Sequence, residues 1–571
     1  MKSPAERQTV ASAEDATLNL PRRKALLALG ALGALGVAVA GQARGAGMGG
    51  MAGMPGMGGM AGMDMGQSQP TAAAPGVGVF SRALLIPAEL HGQPRDGVLH
   101  YALRMAPGRS MLVDGLQTAT WGYNGAVLGP TLRVPRGKAV QIDLNNALDQ
   151  STTLHWHGAH VPGEMDGGPQ SLIAPGGQRR LHFTLQQPAG SLWYHPHPDT
   201  RTGPHVYAGL GGLFLVDDPA DQHLGLPQQY GVDDIPLILQ DRRLAADGRL
   251  LYMTRMMDRM GMKGDRFLVN GREQPYWNAP AQWVRLRLLN AANARVFNLA
   301  FADGRVFHVV ATDAGLLPRP VPVHSLLLAP SERAEILVDL RGDQGKRLVL
   351  RSDSGAVVPD LSAMPMDADS FDHQGFDLLE FRVGPPAGTP ARLPTRMVDL
   401  PVLRADAPVR RFTLQGMSGN MMGGAMGGME GMGSMRSGSQ AMGVSEVGPG
   451  GMSLGVGGKK LFSINHHHMD MARIDQRLRL GSTEIWEVAN QGHMAHPFHY
   501  HSTSFQILSR NGSPPPAHEA GWKDTVLVRR GETVRLIAHF NQQAGDAHPF
   551  MFHCHILEHE DNGMMGQFTV T

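Results

Sequence analysis

Four short stretches hold residue types whose spacing can do chemistry: His155-Trp-His157-Gly, His195-Pro-His197, His496-Pro-Phe-His499-Tyr-His501, and His553-Cys554-His555 followed by His559 and Met564. Each contains an H-x-H pair. In an extended strand residues i and i+2 point to the same side, so each pair can offer two imidazoles to one metal or to two neighbouring metals. Eight such imidazoles are enough for a cluster of three metal ions, and their separation requires the first and last parts of the folded chain to meet. Because His553 and His555 share a face, Cys554 points the other way and can serve a second centre. Cys554, His559 and Met564 are spaced five and five, with His496 in the adjoining motif. Two His, a thiolate and a weak thioether are the donor set of a blue copper electron-transfer site.

Composition points to the same metal. The chain has 26 His and 34 Met, more Met than Phe, Tyr and Trp together, and one cysteine. Imidazole and thioether suit copper in its two oxidation states and are poor for Mg²⁺ or Ca²⁺. A single cysteine rules out an intrachain disulfide framework and a CxxC metal site. Charged residues make up 18% and the net charge is +1, which gives a nucleic-acid partner no electrostatic support.

The elements that must position these donors read as β-strands. Runs such as Val140-Gln-Ile142-Asp-Leu144 alternate apolar and polar residues between Gly, Pro and Asn turns. Met253, Met256, Met257 and Met260 have the spacing of one face of a short helix, read as core or lid packing. Breaks near 218–230 and 385–394 divide the folded part into three β-sandwich domains, 79–218, 230–385 and 400–571. Residues 1–40 read as an export signal: Arg22-Arg23-Lys24, then an apolar run to Ala40 that is too short for a comfortable membrane span. The arginine pair suggests the twin-arginine route and a periplasmic destination. Two Gly/Met-rich tracts, within 41–78 and at 417–452, have neither helix nor strand periodicity and are expected to be flexible.

These motifs resemble the multicopper oxidases, and in more detail the bacterial periplasmic copper efflux oxidases. Besides the four copper motifs, the resemblance rests on Glu164-Met-Asp-Gly-Gly-Pro-Gln170, Asn270-Gly271, Gly521-Trp-Lys-Asp-Thr-Val526 and the stretch from His553 through Met565. It implies an all-β fold of three cupredoxin-like Greek-key domains and four copper ions per chain. His496, Cys554, His559 and Met564 match the type 1 ligands, and His155 and His499 the type 2 ligands. His157, His195, His197, His501, His553 and His555 match the type 3 pair. Asp166 and Glu560 match acids that feed protons to dioxygen, and electrons are expected to pass from Cys554 through His553 and His555.

For the electron donor, the resemblance and the Met-rich insert favour Cu(I), since thioethers select it by softness. Met417 and Met494 match methionines at the family's substrate copper, whereas Asn420 and Gly492 stand near positions where acids are expected. The run His466-His467-His468-Met469-Asp470-Met471 is read as a solvated loop, with copper binding as the alternative. Laccase-like phenol oxidation, copper sequestration by the Met tracts without turnover, and a copper-free structural role are the competing functions. A monomer with no stable membrane insertion is expected.

Overall fold

The computed structural model describes residues 80–571 except 358–360, 363–370, 389, 402, 405 and 417–459. The export signal, the segment 41–78, the insert 417–452 and Met417 therefore lie outside the described residues.

Alternation is directly visible in the strand Ala139–Asn146, where half-buried and buried side chains take turns. It pairs in parallel with Val98–Ser110 and antiparallel with Gln178–Thr184. The parallel step recurs between Asp234–Arg242 and Trp283–Asn290 and again between Val409–Gln415 and Ser482–Asn490. Among the described residues six sheets result, and they face one another in pairs across three cores.

In the first pair Leu103, Ile142 and Leu181 of one sheet meet Leu132, Trp156 and Phe214 of the other. In the second, Leu237, Leu286 and Ile336 meet Leu299, Leu350 and Phe381. In the third, Trp486, Val488 and Leu536 meet Phe498, Phe552 and Phe568. Each such side chain, fully buried, contributes about 1.5–3 kcal/mol. The protein is all-β, as the sequence predicts. Among the described residues no helix is long and apolar enough to cross a membrane.

The methionine helix differs from expectation. Met256–Met260 forms one 3-10 segment, and Met253 lies outside it with φ of +53°. Asp258 fixes this turn by accepting from the backbone N–H of Arg255 at 2.8 Å and from the Arg243 guanidinium at 2.6 Å. Met260 is buried in the core of the third sheet pair.

Candidate metal centre

Two cross-strand registers assemble the histidines. His155–His157 pairs with Gly190–His195 so that His155 stands opposite His195. His496–Tyr500 pairs with Phe550–Cys554 so that His499 stands opposite His553. Only His155-Trp-His157 lies wholly within a strand. His197, His501 and His555 each sit just past a strand end, so their direction is set by the turn and not by the pleat. The strands end at one junction, where His155 stacks on His501 with centroids 3.9 Å apart and His157 on His499 at 3.7 Å. His197 Nε2 and His553 Nε2 approach to 3.2 Å. His555 closes the group, 5.1 Å from His157 and 5.3 Å from His195 between ring centroids. All eight rings are buried.

The fit to a metal can be tested on the ring nitrogens. His155, His195 and His499 each donate from Nδ1 to a backbone carbonyl, that of Asp166, Pro196 and Asp524 respectively. His501 Nδ1 bonds Asp166 Oδ2. The other nitrogen of each, Nε2, is buried without a protein partner, as are Nδ1 of His157 and both nitrogens of His555. A buried acceptor left unpaired costs about 1–3 kcal/mol. Ligating histidines are held through one nitrogen in this way while the other faces the metal. Burial, reinforced by neighbouring imidazoles, holds His157, His195, His499, His501 and His555 well below the ordinary histidine range, so they are neutral donors. Donor atoms of His155, His499 and His501 lie within 4.8 Å of one another, as do those of His197, His501 and His553.

The second set is equally compact. Cys554 Sγ is 3.5 Å from His496 Nδ1 and 3.6 Å from His559 Nδ1, and the two nitrogens are 3.2 Å apart. Met564 is fully buried in the same core, and its carbonyl accepts from the Cys554 N–H. Burial pushes the Cys554 thiol up, so its proton leaves only when a cation takes its place. His559 is held from behind by the Met260 carbonyl at 3.2 Å and covered by the ring of Phe462. One thiol and two imidazole Nδ1 atoms at a triangle's corners suit copper.

Comparison with known proteins agrees. A family profile described as Multicopper oxidase matches residues 105–221, and a second with the same description matches 448–571. The multicopper oxidase mco of Staphylococcus haemolyticus is 33% identical over 480 residues, 83% of this chain and 89% of that protein. The chain belongs to the multicopper oxidases. Copper is therefore its cofactor, and it is an oxidoreductase that uses dioxygen. A laccase-like multicopper oxidase, CueO, from the lignin-degrading bacterium Ochrobactrum sp. shares 38% identity, with a TM-score of 0.72 over 86% of this chain and all of the other. The cell division protein FtsP of Sodalis glossinidius is 36% identical over 80% of this chain and 86% of its own length.

Within this oxidase the two expected acids lie against the histidine cluster. Besides His501, Asp166 Oδ1 faces His155 Nδ1 at 3.5 Å. Glu560 reaches His553 Nδ1 at 3.1 Å and His197 Nδ1 at 3.5 Å. Burial alone would raise the Glu560 carboxyl, but the imidazoles of His197 and His553 outweigh it and hold it well below the usual range.

Sequence reasoning missed Asp524. Its carboxylate bonds His157 Nε2 at 3.0 Å, its carbonyl accepts from His499, and Arg333 pairs with it in full burial. The available signal was its place in Gly521–Val526, a motif with no donor role assigned. Met494 is buried and borders a cavity of about 40 Å³ with Met260, Lys263, Asp372 and Ile556. A second cavity among the described residues, about 520 Å³, is lined by His160, Trp522 and His539 and includes none of the twelve expected ligands.

Proposed function

We propose that this multicopper oxidase takes its electrons from Cu(I) and serves in copper detoxification after export to the periplasm by the twin-arginine route. In this reading His496, Cys554, His559 and Met564 hold the type 1 copper, and His155 and His499 the type 2 ion. His157, His195, His197, His501, His553 and His555 hold the type 3 pair, four ions in all. Bound copper supplies the one-electron chemistry and the reduction of dioxygen to water. The chain supplies the rest. The main chain at Cys554 continues directly into His553 and His555, so covalent bonds join the two donor sets. Asp166 and Glu560, each against imidazoles of the cluster, are placed to pass on the protons that dioxygen reduction consumes. Burial of both sets excludes water.

The observation that carries the substrate reading is the cavity at Met260, the residue whose carbonyl holds His559. It is lined by the thioether residues Met260 and Met494, and its roughly 40 Å³ suits a guest the size of an ion or a water. Sites for drug-sized organic molecules need some 300–1,000 Å³. The second reading is phenol oxidation, favoured by the reported activity of the Ochrobactrum protein towards lignin model compounds. Oxygen uptake with Cu(I) and with a phenol, in the wild type and in Met494→Leu, separates them. Cu(I) oxidation is expected to dominate and its KM to rise in the variant. A wild type that prefers phenols sinks the cuprous reading, and a variant unchanged with Cu(I) removes the Met494 cavity from it. Stoichiometric binding of Cu(I) without oxygen uptake would point instead to sequestration.

A further inference from the structure

The run His466-His467-His468-Met469-Asp470-Met471 takes no part in either donor set, yet its conformation is not that of an idle solvated loop. Ile464 and His467 exchange both backbone hydrogen bonds at 3.0 Å, closing a two-residue hairpin on Asn465 and His466. The φ angles of these two are +52° and +63°. Such a turn favours Asn followed by Gly, because glycine alone takes positive φ without a Cβ penalty. The chain puts an imidazole where glycine is least strained, and strain of this kind collects at functional positions.

His466, His467, His468, Asp470 and Met471 are all exposed, so nitrogen, oxygen and sulfur donors lie within six consecutive residues. Met469 alone turns inward, packing on Met551 and Met565. His468 donates from Nδ1 to the Phe462 carbonyl at 2.6 Å, which leaves its Nε2 as the nitrogen available to a metal. The amide of Gln415 holds His466 at Nε2, 2.9 Å away, and at its backbone N–H, 2.8 Å away. Phe462 connects this hairpin to the blue copper set, since its ring lies 3.8 Å from that of His559 with 23° between the planes. From His468 to His559 the path is one hydrogen bond, one residue and one ring stack.

We propose that this hairpin is a surface copper site that receives Cu(I) and passes its electron through Phe462 to the set formed by His496, Cys554 and His559. The proposal rests on the cuprous reading above. Imidazole binds both oxidation states of copper, the Met471 thioether favours Cu(I) and the Asp470 carboxylate favours Cu(II), so the site can hold the ion on both sides of the step. Each Cu(I) gives up one electron and leaves as Cu(II). Four such electrons, with four protons, convert one dioxygen to two waters.

The test titrates the copper-loaded full chain with Cu(II), followed by electron paramagnetic resonance, because thioether tracts discriminate against Cu(II) while imidazoles do not. The variant is His466→Gly, His467→Asn and His468→Asn combined. Glycine relieves the turn, and an asparagine amide at 468 still donates to the Phe462 carbonyl. Wild type is expected to take up an additional Cu(II) with nitrogen couplings, and the variant to bind it at least about tenfold more weakly. The KM for Cu(I) should rise by a similar factor, while blue absorbance and kcat with a phenol stay unchanged. Unaltered Cu(II) binding overturns the site, as does lost binding with unchanged Cu(I) kinetics, or an equal fall in both activities. A wild type that oxidises phenols but not Cu(I) sinks the cuprous reading and the electron route with it, whereas the binding comparison still judges the metal site.

Discussion

His501 Nδ1 bonds Asp166 Oδ2 at 2.7 Å, joining the third sheet pair to the first at the histidine cluster. The contact fixes the tautomer of His501 and turns its Nε2 inward. Asp166→Ala should remove that constraint and lower copper affinity at the cluster or oxygen uptake by about 10–100-fold. Copper content and oxygen consumption measure it, and unchanged values for both would reduce Asp166 to a bystander.

Cys554 is the junction between the two donor sets. In Cys554→Ser the strong blue absorbance should vanish, bound copper should fall by one ion per chain, and turnover should stop. Turnover that survives the change removes Cys554 from the electron route.

Gly158 follows the first histidine motif with φ of +86°, and a Cβ there would meet Asp524 Oδ2 at 2.5 Å and Arg333 Nη2 at 2.9 Å. Gly158→Ala should cost about 1–3 kcal/mol in backbone strain alone and push Asp524 off His157. Loss of copper from the histidine cluster with the blue centre retained is the expected signature. A full copper complement would show that Asp524 can yield without consequence.

Glu335, bonded to Ser191 and paired with Arg285 and Arg287, provides a pH test. Burial raises its carboxyl, but Arg285 and Arg287 outweigh this and hold it at about 2, against an ordinary 4.5. A depressed carboxylate contributes stability that is complete above its unfolded value and is lost as pH falls through the folded one. The contribution is about 3 kcal/mol, lost between roughly pH 4.5 and 2. Glu335→Gln should lower the thermal midpoint at neutral pH and flatten its fall over that window. An acid limb as steep as that of the wild type would show that other groups carry it.

Much of the site was legible because its chemistry is written in residue types at short spacings. The H-x-H pairs, the lone cysteine between two of them and the alternating strands survive reading in one dimension as residue types, although only the pair His155 and His157 keeps strand geometry and turns aim His197, His501 and His555. Asp524 and Phe462 were not legible. A carboxylate or a phenyl ring acquires its role only from what lies across the fold, here His157, 367 positions away, and His559. The methionine spacing at 253–260 misled because a buried carboxylate, Asp258, tightened the segment into a 3-10 turn.

The sequence by itself determined the all-β class, the donor chemistry and the family, because donor identity and strand periodicity are properties of neighbouring residues. Only the tertiary structure decided which nitrogen of each ring faces inward, which carbonyl or carboxylate holds the other, and how the strand ends converge. Those features depend on registers and packing between segments hundreds of residues apart, where hydrogen bonds formed across the fold select one arrangement from many that the same residues could adopt.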